Sequence, residues 1–96
     1  AMMTKNQKHM GLTSSTGCVI CREITGERVP GHVHHIAEGS GARNDFLVAC
    51  LCELHHTGGL GVHGMGVKAF LNLYSLPTEY HLMGLVNKFL IEDGRL

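Results

Sequence analysis

Two pairs of metal-binding side chains at the same spacing constrain this chain more than any other feature: Cys18-x2-Cys21 and Cys52-x2-His55. A tight turn between such residues puts both donors on one side, with thiolates about 2.3 Å from a shared zinc ion. A long segment, 22–51, separates the pairs, more than a simple zinc ribbon carries, so a hairpin and a loop are expected between them. Bound zinc would contribute roughly 10–16 kcal/mol, the range for zinc-finger peptides. The competing reading is a set of buried or disulfide-bonded thiols; the histidines beside the cysteines favour metal. The fourth ligand stays open among His55, His56 and His32. Cys50, inside the apolar run 46–51, reads as a small core residue.

Such a staple is needed. The chain has 96 residues, which fits one domain. Domains of this size bury a modest share of their surface, against an ordering cost on the order of 100–200 kcal/mol. Thirteen glycines raise that cost, and there is no Trp to deepen a core. Lysine plus arginine equals aspartate plus glutamate, eight of each, so composition alone argues against tight non-specific binding to nucleic-acid phosphates. A bound divalent ion would add positive charge that this count omits. No secretory signal and no apolar run of membrane length is found; the longest, 46–52, is far too short. A cytoplasmic protein with no membrane partner is expected, and in a reducing compartment paired cysteines hold metal more often than they form disulfides.

Residues 1–16 are polar and are expected to form a flexible N-terminal tail, leaving 17–96 as the folded domain. The stretch 29–36 suits a short strand, limited by Pro30 and Gly31, and a hairpin around Gly26 is expected. Residues 39–45 are a loop by composition, and 46–51 could be a strand or a buried helix start. Cys52 to His56 should open or lie on a short helix, which the glycines of 57–64 then interrupt. Two amphipathic helices follow. Val67, Phe70, Leu71 and Tyr74 share one helical face, and Pro77 ends that helix. Thr78 is a candidate N-cap with Glu79 favourably placed against the helix dipole, and Leu82, Leu85, Val86, Phe89 and Leu90 form the second stripe before Gly94. These helices could pack on the cysteine site or form a dimer face, so the oligomeric state stays open.

Eight histidines are a further signal. His34 and His35 are neighbours on the expected strand and should point to opposite faces, one suited to a metal and the other to a substrate. His56 follows His55 directly, and His63 lies where glycines permit close backbone approach. Closing the cysteine site would draw 55–56 toward 34–35.

The order Cys-Val-Ile-Cys, His-His-Ile, Cys-Leu-Cys-Glu-Leu-His-His and Gly-Val-His-Gly resembles the HNH, or His-Me finger, endonucleases, and among them the phage-type recombination-enhancement nucleases that act with RecA. The resemblance runs from Cys18 to about Phe89. It implies an α+β fold: a small ββα-metal arrangement with a structural zinc knuckle (Cys18, Cys21, Cys52, His55) and two C-terminal helices. It further implies cleavage of DNA phosphodiesters in a bacterial or phage-infected cell, with a RecA-like recombinase filament as a partner. By the same resemblance His35 would be the general base. His34, His56 and His63 would hold a catalytic divalent metal such as Mg²⁺, or His63 would contact the scissile phosphate. Where the family carries its middle Asn this chain has Leu47, so Asn44 or Asp45 would orient the base. The N-terminal extension is also shorter than in the recombination nucleases. Arg43, Lys68 and Lys88 are candidate phosphate contacts. The rival expectation is a non-catalytic zinc module that binds DNA or a protein.

Overall fold

A computed structural model describes residues 2–36 and 43–96; Ala1 and most of the loop expected over 39–45 lie outside them. The element order is α1 (Lys5–Ser14), α2 (Val19–Thr25), β1 (His32–His35), β2 (Val48–Leu51), α3 (Glu53–His56), α4 (Val62–Met65), α5 (Val67–Leu73) and α6 (His81–Glu92). The class is α+β: helices around one antiparallel strand pair. Among the described residues no helix is long and apolar enough to cross a membrane.

The strands pair with His34 opposite Ala49 and His35 opposite Val48. The Ile36 N–H donates to the Leu47 carbonyl at 2.8 Å and carries the ladder one residue further. Every residue of β2 is buried, so both of its faces are covered, with α1, α2 and α6 all packed against it. A strand covered on both faces reads as an unbroken apolar run, which is why the period of 46–51 does not separate strand from helix.

The N-terminal segment departs from the expected tail. Thr4 opens α1 with a capping box: its hydroxyl accepts from the Gln7 N–H at 3.1 Å and its own N–H donates to the Gln7 side chain at 2.9 Å. The buried side chains along this segment are threonines rather than large apolar groups, Thr13 in the helix and Thr16 just beyond it, the latter donating to the Thr13 carbonyl. No hydrophobic stripe therefore announces the helix. Helix α1 packs on both strands.

The hairpin expected around Gly26 is likewise replaced. Residues 19–25 form α2, whose first bond runs from the Arg22 N–H to the Cys18 carbonyl at 3.0 Å. Gly26, at φ 78°, ends the helix in the left-handed conformation that glycine adopts without penalty. The β-branched residues of this segment favour a strand locally, but Val19 and Ile20 are buried in the core, and tertiary packing overrides propensity.

The C-terminal helices pack on the rest of the chain. Phe70 is fully buried on α5, and Leu82, Val86, Phe89 and Leu90 join Cys18, Val19, Ile20, Ile36, Ala49, Leu51 and Val62 in the core. Helix α6 starts at His81, beyond the expected cap at Thr78, whose carbonyl accepts the His81 N–H at 3.1 Å. Its far end is tied down by charge. Arg22 grips Asp93 with both Nη atoms, at 2.6 and 3.0 Å, and Arg28 adds a contact at 2.9 Å. The guanidinium also lies 4.5 Å over the Phe89 ring.

Hydrogen bonds from Arg22 hold the Asp93 carboxyl down at about 2, below its ordinary 3.8. Its contribution to stability is therefore complete above 3.8 and fades as pH falls toward 2. Asp93→Asn should lower the thermal midpoint at neutral pH. The gap to wild type, compared in matched melts, should narrow as the pH is taken through that window.

Candidate metal centres

The first centre is built from two helix starts. Cys18 sits at the N-cap of α2 with Cys21 in its first turn, and Cys52 sits at the N-cap of α3 with His55 three residues on. The i, i+3 spacing brings each pair to one helical face. The donor atoms of Cys18, Cys21, Cys52 and His55 all lie within 4.8 Å of one another. Cys21 Sγ is 3.7 Å from Cys52 Sγ. His55 Nδ1 is 3.5, 3.4 and 3.2 Å from the sulfurs of Cys18, Cys21 and Cys52. A tetrahedron with zinc–sulfur bonds of about 2.3 Å has edges of about 3.8 Å, slightly shorter where nitrogen replaces sulfur, so this set fits zinc.

The electrostatics point the same way. Burial and the neighbouring thiols push Cys21 up to about 12, and burial raises Cys18. Burial also opposes the Cys52 thiolate, yet the His55 and Leu54 N–H groups and the adjacent thiols bring it below its ordinary value. Three sulfurs this close would repel one another as anions, and a cation between them would relieve that repulsion. Burial lowers the proton affinity of His55, which favours the neutral ligand form. Its ring meets Tyr74 edge-on at 5.6 Å, and Tyr74 donates to the Leu60 carbonyl at 3.0 Å. Of the three options for the fourth donor, the geometry selects His55: His32 is exposed and His56 turns to a different group. Cys50 is buried outside the donor set, its thiol raised to about 11 chiefly by burial.

The second centre is made of imidazoles. One nitrogen from each of His34, His56 and His63 falls within 4.8 Å of the others. The His34 ring lies 5.2 Å from each of the other two, which are 4.8 Å apart. His34 comes from the buried side of β1, His56 from the end of α3 and His63 from α4. Close backbone packing after α3 folds the loop tightly enough to return His63 to His56: a Cβ on Gly64 would collide with the Gly58 carbonyl oxygen. Burial lowers the proton affinity of His34, against an opposing hydrogen bond to Glu79. Burial and then the other two rings lower that of His56. Neutral imidazoles with free lone pairs are metal donors. Such nitrogens suit Zn²⁺, Ni²⁺, Fe²⁺ or Cu²⁺ better than the expected Mg²⁺, which prefers oxygen.

His35, the next residue of β1, faces elsewhere. Its Nε2 is 2.8 Å from Asp45 Oδ1, and Asp45 Oδ2 accepts from Asn6 of α1 at 3.2 Å. The hydrogen bond with His35, then that from Asn6, holds the Asp45 carboxyl below its ordinary range. The candidates for orienting this histidine thus separate. Asp45 contacts it, whereas the Asn44 side chain accepts the Phe46 N–H at 2.9 Å and shapes the turn. Arg43 is exposed, with Nε 3.9 Å from Asp45 Oδ1. Lys68 is exposed on α5, while Lys88 pairs with Glu23 at 2.9 Å on the α2–α6 seam and lies 5.4 Å over Phe89.

Two residues here escape the sequence reading. Asn6 lies in the supposed tail. Glu79, read as a helix-dipole residue, is instead buried with Oε2 2.6 Å from His34 Nε2. No local spacing links either one to its histidine. Neither the family models, nor the curated proteins, nor the solved structures compared with the chain match it.

The cysteine centre is tested by its metal. At least one zinc per chain is expected, and Cys18→Ser should lower both zinc content and thermal stability. Cys50→Ala should leave the zinc content unchanged, measured by metal analysis of the purified protein.

Proposed function

We propose that the chain is a metal-dependent endonuclease of the HNH type, hydrolysing DNA phosphodiesters with His35 as general base. The observation that carries this reading is the His35–Asp45 pair on the residue next to a three-imidazole set. The connectivity supports it too. An antiparallel strand pair runs straight into α3, with the histidine doublet on the first strand and His56 on the helix, the order of a ββα-metal arrangement.

In this reading the Asp45 carboxylate holds His35 through Nε2, so Nδ1 is the nitrogen turned to solvent and substrate. Nδ1 accepts a proton from water as the water oxygen attacks phosphorus in line. Asp45 then stabilises the imidazolium that forms, and Asn6 keeps the carboxylate in place. A divalent ion held by His34, His56 and His63 would supply Lewis-acid polarisation of the phosphate and charge stabilisation for the departing 3′ oxygen. Arg43, exposed beside Asp45, is a side-chain cation placed to meet a neighbouring phosphate. The products carry 5′-phosphate and 3′-hydroxyl ends. A setting in phage-type recombination with a RecA-like filament rests on the sequence resemblance alone. A purely zinc-binding interaction module would use the cysteine centre equally well, but gives no reason for a carboxylate-held histidine beside a second donor set.

Nicking of supercoiled plasmid, assayed with Mg²⁺, Mn²⁺, Co²⁺ or Ni²⁺ and with EDTA, tests the proposal. Cleavage should require added metal. His35→Ala should reduce it by roughly 10²–10⁴-fold, the usual range for a lost general base, while zinc content and melting stay unchanged. Wild-type cleavage rates in that variant would remove the mechanism.

A further inference from the structure

We propose that Glu79 is a positioning residue for the imidazole centre, fixing His34 in the tautomer that presents Nδ1 to a bound cation. This rests on His34, His56 and His63 being the metal donors of the nuclease reading. Glu79 is 4% exposed and His34 3% exposed, and their contact is the short one at 2.6 Å. A carboxylate is an acceptor, so the nitrogen facing it, Nε2, carries the hydrogen. Nδ1 is then the lone-pair nitrogen left for the side where the His56 and His63 rings stand.

Glu79 itself does not join the donors that lie mutually within 4.8 Å, so it acts through His34. Its position in the chain makes the link informative. It lies just before α6, while the three histidines lie on β1, α3 and α4. The C-terminal segment therefore reaches back to set one donor. A carboxylate behind a ligating histidine fixes the ring orientation and raises the basicity of the donor nitrogen, and loss of such a partner commonly weakens metal binding about 10–100-fold.

The test starts from protein loaded with zinc at the cysteine centre and titrates Co²⁺, followed by visible absorbance. The absence of a thiolate-to-cobalt charge-transfer band shows that zinc stays in place. Glu79→Gln should weaken cobalt binding about 10–100-fold with zinc content unchanged. Because a buried substitution can also disturb folding, a second measurement uses the wild-type protein. Nitrogen-15 NMR of His34 should show the Nε2–H tautomer. Wild-type cobalt affinity in Glu79→Gln, or a hydrogen on His34 Nδ1, overturns the assignment. Plasmid nicking run in parallel separates the two readings. Cobalt binding weakened by the substitution, in a protein that never cuts DNA, supports Glu79 and removes the nuclease. Metal-dependent cutting that Glu79→Gln leaves unaltered, together with unaltered cobalt binding, removes Glu79 and keeps the nuclease.

Discussion

Three thiols, two of them buried and one half-buried, and an imidazole lie so close that as anions and lone pairs they would repel one another, and a shared cation would relieve that repulsion. That constraint organises the chain. The four donors come from the first turns of α2 and α3, which are separated in sequence by both strands and the residues between them. An ion joining these turns would close the long segment onto itself and give a small, glycine-rich chain a fixed point that its apolar core would supply poorly alone. The core is arranged around this point: Cys18, Val19, Ile20, Leu51 and Cys52 belong to the same buried cluster as the stripe of α6.

The imidazole centre is joined to the cysteine centre through one peptide bond. His55 and His56 are consecutive on α3, a helix of four residues and too short to hold its shape unaided. An ion anchoring His55 to the sulfurs would fix this turn, and His56 stands on its other side, toward His34 and His63. The strand does the complementary work. Alternation along β1 sends His34 inward to the imidazoles and Glu79, and His35 outward to Asp45. Two adjacent residues on each of two short elements thus serve different groups, and regular backbone geometry suffices to separate them.

Much of this was legible in the sequence, because the informative residues are chemically rare and regularly spaced. Both cysteine-centre pairs stand three apart, and the stripes of α5 and α6 follow helical periodicity. What was not legible has physical causes. Helix α1 is specified by a capping box and buried threonines, a weak signal in a polar segment. The strand-forming composition of 19–25 yields to the requirement that Cys18 and Cys21 face one way. Choosing between Asn44 and Asp45 needed coordinates, since adjacent polar residues are equivalent until one is occupied locally, as Asn44 is by the Phe46 N–H. Glu79 and Asn6 reach their histidines only through tertiary packing, and no local pattern encodes that.

The charge distribution bears on how such a site could meet a polyanion. The formal net charge is zero, and several of the cations are committed to internal pairs: Arg22 and Arg28 to Asp93, Lys88 to Glu23. These contacts tie α2 and the segment after it to α6 and its end, so they stabilise the fold and contribute little attraction at long range. Arg43 is exposed beside the carboxylate that contacts the proposed base, and its field is offset by that same Asp45 carboxylate 3.9 Å away. On the nuclease reading, the attraction for a phosphate would then come mainly from the ion at the imidazole centre, whose charge is local and partly shielded from salt. Such a protein would grip DNA weakly between turnovers and stabilise charge chiefly as it develops on the reacting phosphate, where binding energy accelerates the chemical step.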